Sequence, residues 1–482
     1  MIRLKTNLPG FFNELCEVVR LFLGPVEIGE AGEGEDGAEG DALVVHTHAE
    51  AGGVWTERVT GFGREQALTE PAGGEGLERK RRLKRAVKTA AFLLMREVTG
   101  VNPPWGSLTG IRPTRILYEL MGEGLSMDQA RDAMEKRFFV HPEKASLLCD
   151  IAVMQRGLID VSPREYDVYV GIPFCVTRCA YCSFSSGELG DGRLVEPYID
   201  ALIREMDALG PWLADQGLTP RAFYMGGGMP TSLTAAQLRR VLMKARELFP
   251  QAREWTVEAG RPDTIDREKL QALKDAGVGR ISVNPQTFSD RTLQVIGRAH
   301  TAAQTLEGYA LAREMGFGDI NMDLIAALPG EGGEDFLRSL ETCVDLCPES
   351  ITVHTLAIKR SSRLHEQGYA QPGTDAAARM VGAARARIRD AGYGPYYLYR
   401  QKYMAGNLEN VGYARPGFAC LYNIDNMEET TRVLAFGAGA ITKWLFDRER
   451  RIERAPNVRN IEQYIARVDE MIERKKALIG GE

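Results

Sequence analysis

The sequence predicts an α/β protein: a partial barrel of six β/α units, preceded by an α+β domain and followed by a carboxy-terminal cap. Three observations predict it. From Tyr166 onward, short apolar runs alternate with amphipathic helical patterns, as a parallel sheet with crossover helices requires. Cysteines, glycines and charged residues collect directly after those runs, where parallel sheets bind ligands. The periodicity also changes near residues 160 and 360, dividing the chain into 1–160, 161–360 and 361–482. A length of 482 residues suits two or three domains.

Composition narrows the function classes. Hydrophobic residues at 44% and charged residues at 26% give a globular balance, with no apolar run long enough to cross a bilayer. Met1-Ile2-Arg3-Leu4-Lys5 lacks the apolar core of a secretory signal, so a reducing cytoplasm is expected, where thiols serve as ligands or core residues. A formal net charge of −6 argues against a generic nucleic-acid binder, which carries excess Lys and Arg.

In the first segment, residues 29–41 are mostly Gly, Ala, Glu and Asp and read as an exposed loop. Ala42–His48 and Val54–Val59 read as a hairpin. His46 and His48 share one face of the first strand and could bind metal, but no carboxylate or thiol is evidently placed to complete a site, leaving them as exposed polar residues. The run Arg79-Lys80-Arg81-Arg82-Leu83-Lys84-Arg85 opens a helix whose basic face is either solvated or a surface for anions. Gly106–Thr114 is a punctuated loop before a helix from about Arg115, and Arg112 and Arg115 suit either an anion or a salt bridge. Ser162-Pro163 marks the boundary.

Strands are expected near 166–172, 221–226, 254–259, 279–284, 319–325 and 350–356. Helices are expected at about 194–209, 235–248, 266–276, 301–315 and 334–346, the second opening on a capping box at Thr234. After the first strand comes Cys175-Val176-Thr177-Arg178-Cys179-Ala180-Tyr181-Cys182, three thiols in eight residues. Four thiolates would close a zinc site or an ordinary cluster, whereas three on a 4Fe-4S cluster leave one iron open. Gly226-Gly227-Gly228-Met229-Pro230 follows the second strand and lets backbone groups approach a ligand.

With Tyr181 in the aromatic position of the cysteine loop and the Gly226–Pro230 turn beyond it, the chain resembles the radical SAM superfamily. Tyr169–Cys175 narrows the likeness to the oxygen-independent coproporphyrinogen III oxidase (dehydrogenase) family. The amino-terminal domain, the Gly106–Thr114 motif and Tyr399-Arg400-Gln401-Lys402 most resemble its HemZ branch. The resemblance implies that Cys175, Cys179 and Cys182 hold a 4Fe-4S cluster whose open iron binds S-adenosylmethionine (SAM). It implies further SAM contacts from Tyr169, Gly227, Gly228, Met229, Glu258, Gln286, Arg298 and Asp323 and, more loosely, Ala357 and Ile441. Glu258, Gln286 and Asp323 each lie at or just past a strand end, where acceptors can orient an ammonium or a ribose, and Arg298 suits a carboxylate. The implied reaction turns propionates of coproporphyrinogen III into vinyl groups, giving protoporphyrinogen IX, with a reductant such as flavodoxin or ferredoxin.

Three positions depart from the family pattern. Gly171 stands where His is common, Met229 where Thr is usual, and Ser183-Phe184 where a typical dehydrogenase has another cysteine. The last resembles the haem-chaperone branch, whose carboxy-terminal His-Asn-x-x-Tyr-Trp motif is absent. A haem-binding chaperone and an RNA-modifying radical SAM enzyme are therefore the alternatives.

Of the other cysteines, Cys343 and Cys347 are a helical turn apart and read as core, and Cys16, Cys149 and Cys420 are isolated. A helix near 375–391 leads to Tyr393–Lys402, whose rings and cations would suit a tetrapyrrole with propionates or pack over the barrel mouth. Phe436–Ile441 is a close-approach segment, and Ile461–Leu478 a charged terminal helix.

Overall fold

The computed structural model describes residues 1–24, 26–32, 42–110, 112–183, 186–359, 361–369, 374–401, 404–446 and 451–481. Most of the expected loop at 29–41, Phe184 and Lys402 lie outside the described residues. The chain forms two compact units, Met1–Cys149 and Asp150–Glu482, against expected boundaries at 160 and 360.

The first unit carries a five-stranded sheet of β1 (Ile2–Thr6), β2 (Ile28–Glu30), β3 (Ala42–Ala51), β4 (Val54–Gly61) and β5 (Arg64–Pro71) in the order β2-β1-β3-β4-β5. β1 runs parallel to both neighbours, and β3 to β5 form an antiparallel meander. Helices Phe12–Leu23 and Gly76–Thr99 cover it, because Leu15, Val18 and Val19 on one, and Val87, Ala90, Ala91 and Leu94 on the other, fall at helical spacing and meet Leu4, Val44 and Val59 in one core. Within the basic run Arg79 pairs with Glu50, Lys84 with Glu14 and Arg85 with Glu119, and beyond it Lys88 pairs with Glu17. Arg115 pairs with Glu119 a turn along its own helix.

The two histidines differ from expectation. The hairpin register sets His48 opposite Glu57, whose carboxylate accepts from His46 Nε2 at 2.9 Å and His48 Nδ1 at 2.7 Å. His46 is fully buried rather than exposed, and its Nδ1 lies 2.8 Å from the Thr6 hydroxyl. A carboxylate can only accept, so Nε2 carries the proton and, in the neutral ring, the hydroxyl donates to Nδ1. Strand pairing rather than sequence neighbourhood brings Glu57 to the two histidines, where it serves as their hydrogen-bond acceptor and, among the described residues, not as part of a metal site.

In the second unit the strands are β6 (Glu165–Ile172), β7 (Phe174–Cys175), β8 (Gly187–Glu188), β9 (Thr219–Gly227), β10 (Glu254–Val257), β11 (Arg280–Ser282), β12 (Asp319–Ala326), β13 (Ser350–Thr355), β14 (Gly394–Tyr399), β15 (Asn410–Ala414), β16 (Arg432–Phe436), β17 (Ile441–Phe446) and β18 (Arg451–Pro456). The six expected strands β6, β9, β10, β11, β12 and β13 lie side by side in chain order, all parallel. Helices Val195–Asp215, Ala235–Leu248, Arg267–Asp275, Ala302–Glu314 and Gly333–Asp345 connect them; capping boxes at Thr234 and Thr301 and an Asp266 cap fix three starts.

Residues 361–482 do more than cap. They supply β14 to β18 to this same sheet: β16 is a seventh parallel strand beside β6, with β17 and β18 antiparallel beyond it and β15 and β14 at the other edge. Helix Leu421–Glu428 packs inside the curl, where Tyr422 and Ile424 join Ala222, Tyr396, Tyr397, Ala414, Val433 and Ala435. Glu254 caps that helix by accepting from Leu421 N at 2.8 Å and Tyr422 N at 3.2 Å, and it also takes the Cys420 thiol at 3.2 Å. Cys343 is buried as expected, but Cys347 lies past its helix, exposed, with φ of 54°. The terminal helix is two, Ile461–Ala466 and Val468–Ile479.

Candidate functional site

The cysteine loop springs from the carboxyl end of β6 and is pinned at its feet. β7 and β8 form a two-rung parallel ladder, Phe174 with Gly187 and Cys175 with Glu188. The glycine turn after β9 is pressed against the same segment: Gly228 N donates to Ile172 O at 2.6 Å and Met229 N to Phe174 O at 2.8 Å. Those two amides are engaged by the loop, so glycine is required here for backbone to meet backbone. A Cβ on Gly228 would lie 2.6 Å from Phe174 O and 2.9 Å from Ile172 O, and Gly227 holds φ of +108°. Gly228→Ala is therefore expected to displace the loop and cost about 1–3 kcal/mol, read as a lower melting temperature with reduced iron uptake.

Further along, Ala180 N donates to Ile296 O at 2.8 Å, Leu364 N to Ala180 O at 3.0 Å, and Arg178 Nη2 to Ser361 O at 2.8 Å. Arg298, 8% exposed, donates from Nη1 to Asn284 O at 2.9 Å and from Nη2 to the Tyr181 hydroxyl at 3.1 Å, with the Cys179 thiol also in reach. The three thiols sense one another: burial pushes the Cys175 thiol up, and Cys182 and Cys179 add to it. Among the described residues, no three His, Cys, Asp or Glu side chains are gathered closely enough to hold a single ion. The donor chemistry nonetheless fits an iron–sulfur cluster: three free, partly accessible thiols on one loop, with a buried guanidinium beside the middle one.

Beside the loop, the strand ends carry a polar, aromatic lining. Tyr169 and Tyr224 stack with centroids 6.4 Å apart, and Tyr422 lies under Tyr224 at 4.4 Å. The Tyr224 hydroxyl donates to Glu258 Oε1 at 2.6 Å. Burial first, then the charge of Asp323, pushes the Glu258 carboxyl up to about 7 against that hydrogen bond. Burial would raise Asp323 as well, but the hydrogen bond and charge of His354, with bonds from Asn321 and Thr352, hold it below the usual range. Asn321 Nδ2 donates to Asp323 Oδ1 at 2.7 Å, and His354 Nε2 lies 3.6 Å from Oδ2. Gln286 occupies the left-handed region at φ of 66°, held by Gln286 N to Asp323 O at 2.9 Å and Ile325 N to Gln286 O at 3.0 Å, with its buried Oε1 unpartnered by protein. A strained, over-determined backbone that aims an unsatisfied acceptor is a functional signature.

Met229 packs over Gly260, where a Cβ would lie 3.2 Å from the Met229 methyl carbon and press on it. Ala357 forms an isolated antiparallel bridge with Met404, past the end of β13. Ile441 opens β17 and is 43% exposed. Of the aromatic and cationic segment, Tyr393, Tyr396, Tyr397 and Arg400 are buried in packing, and Tyr399 is part-exposed. Tyr224, Asn321, His354 and Arg261 carried no sequence assignment. Period-two alternation could have found Asn321, two residues before Asp323 on one strand face.

A family model for the radical SAM superfamily matches residues 169–343. The chain is 39% identical over 404 residues to the "oxygen-independent coproporphyrinogen-III oxidase-like protein HemZ" of Bacillus subtilis, covering 82% of this chain and 81% of that one. It is 37% identical over 195 residues to the "heme chaperone HemW" of the same organism, covering 40% of this chain and half of that one. The solved coproporphyrinogen III oxidase HemN of Escherichia coli superposes with a TM-score of 0.53 at 24% identity, covering 67% of this chain and 73% of that chain, and so shares its fold. With the loop, the strand ends and these likenesses together, the chain belongs to the radical SAM superfamily, in the family of the coproporphyrinogen-III oxidase-like protein HemZ, and takes a 4Fe-4S cluster and SAM as cofactors.

Proposed function

We propose that the chain performs oxygen-independent oxidative decarboxylation of coproporphyrinogen III propionates to vinyl groups, giving protoporphyrinogen IX. The observation that carries this is the meeting of the cysteine loop with Glu258, Gln286 and Asp323 at one end of the sheet, in a chain 39% identical to HemZ. Cys175, Cys179 and Cys182 hold the cluster. Tyr169, Gly227, Gly228, Met229, Glu258, Gln286, Arg298, Asp323, Ala357 and Ile441 form the SAM site. The cluster and SAM, held by these residues, would supply the one-electron chemistry for removing a hydrogen from a propionate β-carbon, with loss of carbon dioxide and of one electron to an acceptor. Tyr399 is the part-exposed ring nearest in sequence to Arg400 and offers a stacking surface. The reductant is a flavodoxin- or ferredoxin-like protein and the setting the cytoplasm; among the described residues no helix is long and apolar enough to cross a membrane.

Anaerobic incubation of reconstituted protein with SAM, reductant and coproporphyrinogen III tests the reading. Mass analysis should show loss of two carboxyl groups and formation of 5′-deoxyadenosine. The second product without the first sinks the reaction. The likeness to HemW and Ser183 after the third cysteine support a second reading, a haem chaperone. Stoichiometric haem binding without SAM-dependent decarboxylation would favour it.

The Glu258 carboxyl gives an independent handle. Raised from its ordinary 4.5 to about 7, it is largely protonated at pH 6, and an ammonium beside it favours the ionised form. SAM binding without reductant is therefore expected to release up to about one proton between pH 6 and 7, and little above pH 8. Calorimetry in buffers of different ionisation enthalpy reads this, and Glu258→Gln should remove it. Because the folded state holds a proton here that the unfolded chain gives up above 4.5, this group's contribution to stability falls as pH rises from 4.5 to 7.

A further inference from the structure

A second buried guanidinium reaches the cysteine loop from the turn after β10. Arg261, 1% exposed, forks onto Asp263, with Nε to Oδ1 at 3.0 Å and Nη2 to Oδ2 at 2.7 Å. Its remaining nitrogen, Nη1, donates to both the carbonyl oxygen of Thr177 at 3.0 Å and the Thr177 hydroxyl at 2.7 Å. Thr177 stands midway between Cys175 and Cys179.

The turn that presents Arg261 is itself fixed. The Thr264 hydroxyl donates to Arg261 O at 2.8 Å, and Asn284 N to Gly260 O at 2.8 Å. Burial would raise Asp263, but the hydrogen bonds and charge of Arg261 hold it below the usual range, so the fork is a charged pair at neutral pH. His300, 3.8 Å from Asp263, is pushed down to about 4, by burial and then by Arg298, and stays neutral. Asp263 thus balances the charge of Arg261, and what Arg261 brings to the loop is geometry. Ala180 and Tyr181 are tied beyond Cys179, whereas Arg178, next to Thr177, donates from Nη2 to Ser361 O at 2.8 Å and accepts at its carbonyl from Arg363 Nη1 at 3.4 Å. Without Nη1, the span between the first two cysteines would keep its ties at Arg178 and lose those at Thr177.

We propose that Arg261, oriented by Asp263, is a positioning residue that fixes the span between Cys175 and Cys179, so that both thiolates meet the cluster and retain it. This is the logic of supporting groups around metal ligands, whose loss lowers metal affinity by about 10–100-fold. Lys carries the charge but not the planar fork that holds Asp263 with two nitrogens and Thr177 with the third.

The test compares Arg261→Lys, Arg261→Gln, Thr177→Val and Thr177→Ser in the full chain. Readouts are iron and sulfide per chain after anaerobic reconstitution, bleaching rate under an iron chelator, the electron paramagnetic resonance signal of the reduced cluster, and melting of the cluster-free protein. Both Arg261 variants should lose the cluster about tenfold faster and broaden the signal. Thr177→Val should follow them part of the way, and Thr177→Ser, which keeps the hydroxyl, should behave as the parent. Parental bleaching rates in Arg261→Lys, Arg261→Gln and Thr177→Val overturn the proposal. If the Arg261 variants melt well below the parent, the threonine pair decides: Thr177→Val bleaching no faster than Thr177→Ser also overturns it. The inference rests on the three cysteines holding the cluster; failure of that reading shows as iron retained when Cys179 is removed, failure of this one as an undisturbed cluster.

Discussion

Cys179→Ala is expected to leave a folded protein with little bound iron and with 5′-deoxyadenosine and decarboxylated product below detection. Three thiolates are the minimum that holds a 4Fe-4S cluster with one iron free, and two cannot keep the remaining corner from solvent. Folding should survive, because neighbours rather than the thiol carry the loop: Ala180 is tied through its N–H to Ile296 and through its carbonyl to Leu364, and Tyr181 through its hydroxyl to Arg298. Removing the thiol also takes away the group that Arg298 reaches at this point of the loop. Cys347→Ala is the matched control: it lies exposed beyond the end of its helix and should change neither iron content nor product. Cys179→Ala protein with parental iron content and parental 5′-deoxyadenosine would remove the ligand assignment.

The barrel strands were legible because each is a compact apolar run and helical patterns alternate with them, some opening on a capping signal, as at Thr234 and Thr301. β16 was not. Arg432–Phe436 has no helix after it, and its pairing to β6 spans more than 260 residues of sequence, a relation that local periodicity does not encode. The same limit hid Glu57 from His46 and Arg261 from Thr177, since pairing register and turn geometry made those contacts. Cysteine spacing is a signal of the opposite kind: three thiols within eight residues need no tertiary information to be recognised. The departures from the family pattern gain physical content too. A side chain on Gly171 would start 3.3 Å from the Tyr169 ring and 3.4 Å from Phe436 O, so the usual histidine would have to displace one of them.

Lys475→Met is expected to destabilise the Asp150–Glu482 unit by about 3–5 kcal/mol, the usual cost of leaving a buried charge without its partner. Lys475 and Glu205 are both fully buried, 2.5 Å apart, and Lys475 also donates to Ala435 O. Glu205 has no spare capacity to find another cation, because it already accepts from Gly437 N at 2.9 Å, Asn457 Nδ2 at 2.9 Å and the Tyr464 hydroxyl at 2.6 Å. Those partners place the effect near the chemistry. Gly437 lies so close to β6 that a Cβ there would sit 2.5 Å from Gly171 O, the same oxygen that accepts from the Tyr198 hydroxyl at 2.5 Å, and four residues later comes Cys175. The helix Val468–Ile479 therefore supports the root of the cysteine loop through Lys475, Glu205 and Gly437. The melting temperature should fall by roughly 4–7 °C, from about 1.4 °C per kcal/mol given how unfolding entropy scales with a unit of this size. Adding Glu205→Gln should recover part of the loss, because the double variant buries no unpaired charge and keeps acceptors for Gly437 and Tyr464. A Lys475→Met protein within 1 kcal/mol of the parent, or a double variant no better than the single, would show that this buried pair does not hold the segment.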